Sequence, residues 1–114
     1  MPNLTTGLLE NTPVMGVRPS STLSVNITND GTALENVLIQ GFYQSGITKV
    51  LYVQELVSIS PSEVVLRNYY ANLDAIEFQF VVSSIEVKAT VWGKDAAGNL
   101  TTAHRVVAQE VNLF

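Results

Sequence analysis

The sequence predicts an all-β chain, an antiparallel β-sandwich of jelly-roll or immunoglobulin-like type with an extended N-terminal arm. Three observations carry that expectation. Apolar and polar residues alternate with a period of two through most of the chain, turn-forming residues separate the alternating runs, and no stretch shows the three-and-four spacing of an amphipathic helix. A strand turns successive side chains to opposite faces, so such alternation marks a sheet buried on one side. The 114 residues hold seven or eight such strands, enough for one sandwich domain. The pattern leaves open which of the two topologies connects them.

The arm comes first. "MPNLTTGLLENTPVMGVRPS" is too apolar for a solvated tail and too interrupted by Gly7, Pro13, Gly16 and Pro19 for a helix. Leu4, Leu8, Leu9, Val14, Met15 and Val17 change parity along it, so two short extended pieces broken near Pro13 are expected. Burying six such side chains is worth about 1.5–3 kcal/mol each. Ordering roughly 15 residues costs about 1–2 kcal/mol apiece. The two sums nearly cancel, so the arm orders only by joining a sheet and gaining its hydrogen-bond ladder. That sheet belongs either to the same molecule or to a neighbour. The Pro and Gly breaks and the sparse edge-blocking charge favour the neighbour, and a head-to-tail contact that does not close gives a filament. The chain is accordingly divided into a connector arm at 1–19 and a sandwich domain at 20–114.

The strands follow in order. Leu23, Val25 and Ile27 alternate with Thr22, Ser24 and Asn26. The runs Glu35 to Ser45 and Lys49 to Ile59 carry apolar residues on both parities and are expected to be covered on two sides. A short strand is expected over Arg67 to Tyr70, where the adjacent Tyr69 and Tyr70 must face opposite ways. Ile76, Phe78, Phe80 and Val82 form the next buried stripe, and Ile85, Val87, Ala89 and Val91 the one after it. A last strand is expected over Leu100 to Val111. Between them, "TNDGT", "SG", "SPS", "ANLD" and "KDAAGN" supply turn chemistry.

Composition then excludes several classes of partner. Apolar residues make up 46% of the chain and charged residues 14%, the opposite of a disordered composition. A net charge of -4 with only six Lys and Arg argues against nucleic acid. No apolar run approaches the roughly 20 residues of a spanning helix, so no membrane partner is expected. The chain has no cysteine, which removes disulfides and thiolate metal sites. Met1 and the absence of a basic, continuously apolar leader lead to the expectation of synthesis without a signal peptide.

No motif names a reaction. His104 is the single histidine, and nothing in the sequence gives it an oriented acid or a nucleophile elbow, so a strand-surface position is expected. Asp30, Asp74 and Asp95 fall in separate turns and lack calcium-loop spacing. Neither a cofactor nor a metal is expected, and no enzyme. Trp92, on the polar parity of its strand, reads as an anchor at a protein interface rather than a sugar-stacking platform. Phe114, in the terminal "VNLF", either caps the chain's own core or contacts a neighbour.

"LLENTPVMGVRPSSTLSVNITNDGT", an arm running into a small β-sandwich, resembles the subunits of bacterial endospore appendage fibres. The resemblance implies a structural subunit of a spore-surface, extracellular fibre, with the arm docked into an adjacent copy. Its partners would be copies of itself and an anchor or tip protein at the fibre ends. The best-known of those subunits carry connector cysteines, and without them any fibre here would be noncovalent. Leu4, Leu8, Leu9, Val14, Met15, Val17, Trp92 and Phe114 are the expected subunit-interface residues. "LSVNITNDGTALENVLIQGFY" and "VWGKDAAGNLTT" also resemble bacterial surface immunoglobulin-like modules. That alternative implies a monomeric binding or spacer domain of a surface protein or phage virion.

Overall fold

The computed structural model describes residues 3–104 and 106–108. The strands in that span are β1 (Asn3–Thr5), β2 (Leu9–Glu10), β3 (Thr22–Asn29), β4 (Glu35–Ser45), β5 (Thr48–Ile59), β6 (Val64–Tyr70), β7 (Ala75–Val82), β8 (Val87–Lys94), β9 (Leu100–His104) and β10 (Val107–Ala108). They pair in antiparallel fashion into two sheets. One runs β10–β1–β7–β4–β5, with β2 also on β7, and the other β6–β3–β8–β9. Leu23, Val25, Ile27 and Val91 from the second sheet meet Val37, Ile39, Phe78 and Phe80 from the first in a single apolar core. The chain is therefore the antiparallel β-sandwich that its alternation predicts.

The connections follow the jelly-roll order. From β3 onward, β4 pairs with β5, β3 pairs with β6 around that hairpin, and β7 and β8 return beside β4 and β3. In an immunoglobulin sandwich the counterpart of β8 would stay beside the counterpart of β7 in one sheet. Here β8 leaves β7 and crosses to β3.

The arm is the main departure from expectation. Residues 3–10 do not extend from the body; β1 and β2 fill the place beside β7, with Leu4 opposite Phe80 and Leu9 opposite Ile76. The break falls at Gly7, not near Pro13, and its φ of 67° is one that side chains rarely adopt. That kink flips the parity. Leu4 and Leu9, an odd number of residues apart, both turn into the core, while Leu8 is left exposed. The sheet thus extends across the 19/20 boundary, and only residues 12–19 stand out from it.

Three other strands differ locally from their expectation. The Lys49 to Ile59 run is covered on one side only within the chain, because the sandwich has two layers and each sheet turns its other face outward, and Leu51 and Leu56 lie in the open. Part of its double parity comes from a bulge: the register steps from Gly41 opposite Val53 to Phe42 opposite Leu51, which frees Tyr52 to pack on Tyr43 and Phe78. Gly41 is required there, since a Cβ would lie 2.8 Å from the Phe78 ring. Ile85, expected inward, lies in the turn before β8 and is exposed. The last strand changes sheet, β9 pairing with β8 and β10 with β1, and residues 109–111 of its expected span lie outside the described residues.

Buried asparagines fix the two ends of the sandwich. At the first end, with turns 30–34, 60–63 and 83–86, Asn29 Nδ2 donates to the carbonyls of Ala33 and Ile59, and its Oδ1 accepts from Gly31 N–H. At the second, with segments 11–21, 45–48, 71–74 and 95–99, Asn11 Nδ2 reaches the carbonyls of Ser20, Ala71 and Leu73, and Oδ1 accepts from Ser20 N–H. One long side is closed between the β5 and β6 edges, where Glu55 takes hydrogen bonds from Arg67 Nε at 2.9 Å and Tyr69 at 2.8 Å. On the opposite side the chain passes from one sheet to the other through residue 106.

Candidate interaction surfaces

The residues expected at a subunit interface separate into distinct places. Leu4 and Leu9 are half-buried against their own core, and the physical reason is the Gly7 kink. Val14, Met15 and Val17 come together in water. Val14 and Val17 exchange both backbone hydrogen bonds, closing a two-residue turn over Met15 and Gly16. Both turn residues have positive φ, 52° and 81°. Such a turn normally holds Asn-Gly, because a residue with a Cβ is strained there, at a cost of about 1 kcal/mol. Met15 is 98% exposed, so no contact within the chain offsets that strain.

The tip is held rigidly at its base. The chain leaves the sandwich at Asn11 and returns at Ser20, both buried, and Arg18 bridges the Asn11 carbonyl and the Asp74 carboxylate. Ile47 lies at the same end, fully exposed in the Gly46-Ile47 turn of the β4–β5 hairpin. An apolar residue directly after a turn glycine is a signal the sequence displays, although alternation alone does not single it out.

An apolar cleft lies toward the other end, on the side where the chain changes sheet. Leu4, Val82, Ile85, Val87, Ala89 and Val106, with Lys88 beside them, line about 240 Å³. Leu4 thus lines this cleft as well as packing on its own core. The sequence hides this cleft because its walls come from four separate segments. Leu34 and Val64 are also exposed at that end.

Trp92 sits on the outer face of the second sheet, opposite Ser24 and Ala103, and is 37% exposed. Tyr69 stacks on Phe78 in the core with ring centroids 5.1 Å apart, and Tyr70 faces water. Burial and the hydrogen bond to Glu55 push the Tyr69 phenol well above its ordinary range; burial and the charge of Tyr70 push Tyr52 up to about 12. Phe114 lies outside the described residues. His104 is half-buried rather than on the strand surface, lining about 160 Å³ with Leu9, Asn11, Pro19 and Ser20, and burial lowers its pKa.

Among the described residues, Glu77 is the one charged side chain on the outer face of the first sheet that is nearly sealed from water, 8% exposed. It accepts hydrogen bonds from Thr5 Oγ1 at 2.6 Å, Lys49 Nζ at 2.6 Å and Gln79 Nε2 at 3.1 Å. Burial alone would raise its pKa, but these donors and the Lys49 charge outweigh it and hold the carboxyl below 4.5. A lowered native pKa stabilises the fold above the unfolded value, and that contribution disappears as pH falls through the native one. Glu77→Gln is therefore expected to lose about 2 kcal/mol at neutral pH. Chemical denaturation from about pH 7 to 3 checks it: the gap to the parent should narrow as the pH falls below 4.5. A gap that persists in acid would refute the assignment.

Set against protein-family models, curated proteins and solved structures, the chain matches none of them.

Proposed function

We propose that the chain is a structural β-sandwich module that assembles noncovalently with copies of itself into a fibre, with no catalytic role. The observation that supports it is Val14, Met15 and Val17 held together in water by one tight turn, with Ile47 exposed on a second turn at the same end. Isolated exposed apolar residues are ordinary, but a cluster of them at one pole of a sparsely charged chain is a contact surface. The strand-addition form of assembly has a defined register. An arm from a neighbour would place Leu4 on Phe80 and Leu9 on Ile76, as the chain's own arm does. A spore-surface setting, with anchor or tip proteins at the fibre ends, is the context that the resemblance to appendage subunits implies.

Sedimentation across a wide concentration range, with electron microscopy of the concentrated sample, tests this reading. The expected result is a concentration-dependent series of oligomers leading to filaments. A species that stays single at high concentration favours the alternative, a monomeric binding or spacer module.

A further inference from the structure

We infer that the outer face of the second sheet is a shallow groove that binds a short stretch of an acidic, uronate-bearing polysaccharide. This inference does not depend on self-assembly.

Strand register builds the groove. On the solvent side of β3, Thr22, Ser24, Asn26 and Thr28 form a floor of short side chains, because Leu23, Val25 and Ile27 take the opposite parity into the core. Leu66, Asn68 and Tyr70 of β6 stand along one side of that floor, and Trp92 of β8 along the other, between Lys88 and Lys94. The sides shade the middle. Ser24 faces outward between Asn68 and Trp92, yet it is only 4% exposed, against 61% for Tyr70. A hydroxyl on so deeply set a residue ordinarily has a hydrogen-bond partner. Among the described residues Ser24 Oγ has none, and neither do the side chains of Thr22, Asn26 and Thr28; the bond across the groove runs instead from Lys94 Nζ to Asn68 Oδ1 at 3.3 Å. No sealed side-chain oxygen among the described residues lacks a partner, so the Ser24 hydroxyl opens into the groove. The first sheet differs: there Thr5, Lys49 and Gln79 are all engaged by Glu77.

The chemistry of the face selects a sugar. Protein interfaces set an apolar core inside a polar rim, and here the order is reversed, with polar groups in the middle and Leu66, Tyr70 and Trp92 outside. Hydroxyls and an amide both donate and accept, as sugar hydroxyls do, and Tyr70 and Trp92 offer exposed rings to the apolar faces of pyranoses.

Charge selects an acidic sugar. Among the described residues, Arg18, Lys49 and Arg67 are each ion-paired, whereas Lys88 and Lys94 donate only to neutral oxygens, the Ile85 carbonyl and the Asn68 amide. Both of these unpaired cations belong to the outer parity of β8, and no carboxylate shares that parity on β3, β6 or β8. Glu63, Glu86 and Asp95 sit in the turns just beyond the two ends. A polyanion is therefore held to the span from Thr22 to Thr28, about 20 Å of strand, which is why a short stretch is recognised.

Trp92 is the single tryptophan, so its emission reports on this face directly. The full chain is titrated with galacturonate, mannuronate and glucuronate oligomers, by fluorescence and by calorimetry. A saturable change is expected with at least one of them, weakened by added salt. Replacing Lys88 and Lys94 together by Gln should weaken binding by about tenfold or more, and Trp92→Ala, read by calorimetry, by a similar factor. Both variants alter exposed side chains and should unfold at the parent's thermal midpoint. If none of the oligomers binds the parent, or if they bind both variants as tightly, the groove is not a uronate site. Equal binding of neutral glucose oligomers would show that the lysines read no acid. Equal binding of polyglutamate would show that charge alone is read and that the occupant is an acidic protein segment; either result overturns the assignment.

Discussion

Removing residues 1–10 is expected to abolish folding of the isolated chain. The deletion strips β1 and β2 from β7, uncovers Ile76 and Phe80, and removes the partner of β10. It also takes away the Thr6 N–H to Phe78 carbonyl bond at 3.0 Å and the Thr5 hydroxyl on Glu77. The apolar and hydrogen-bond losses together are on the order of 5 kcal/mol. A domain's whole stability is only about 5–15 kcal/mol. Far-ultraviolet circular dichroism of the truncated chain should show loss of cooperative unfolding, and a peptide spanning residues 1–11, supplied in trans, should restore it. A truncated chain that remains a folded, soluble monomer would instead place the segment outside its own sandwich, as a connector between copies.

The next largest effect is expected at the buried asparagines. Asn29 is completely inaccessible, and its amide satisfies three backbone groups, two carbonyls at 2.8 and 3.0 Å and one N–H at 2.9 Å. Asn29→Ala leaves these groups buried and unpaired, at about 1–3 kcal/mol for each that finds no water. A net loss of about 3 kcal/mol is expected, with a fall in thermal midpoint of more than about 10 °C. Asn11→Ala should behave similarly, because Asn11 ties the arm to Ser20 and to the β6–β7 turn. Thermal unfolding of the two variants checks both. If either unfolds with the parent, water has replaced the amide and the pin is dispensable. Asn29→Asp is no remedy, since it turns an oxygen toward two carbonyls.

Much of the architecture is readable from the chain because side-chain alternation is a local property. Leu23, Val25 and Ile27, and Ile76, Phe78, Phe80 and Val82, face the core as their parity dictates, and no neighbour can change that without a register slip. Tyr69 and Tyr70 divide between core and solvent for the same reason.

Alternation does not specify which strand lies beside which, and the candidate surfaces depend on that. Leu4 and Leu9 enter their own core only because the Gly7 kink corrects their parity and β7 offers an open edge. The bulge at Gly41, the jelly-roll return of β8 to β3, and the cleft assembled from four distant segments are likewise products of pairing across the chain. The sequence by itself determined a two-faced sheet protein with an apolar, proline-broken start. Only the tertiary structure decided that part of that start completes the sandwich while its tip stays in water. Hydrogen-bond ladders join residues as far apart as Asn3 and Val81, and the free energy that chooses among such partners is absent from any local pattern.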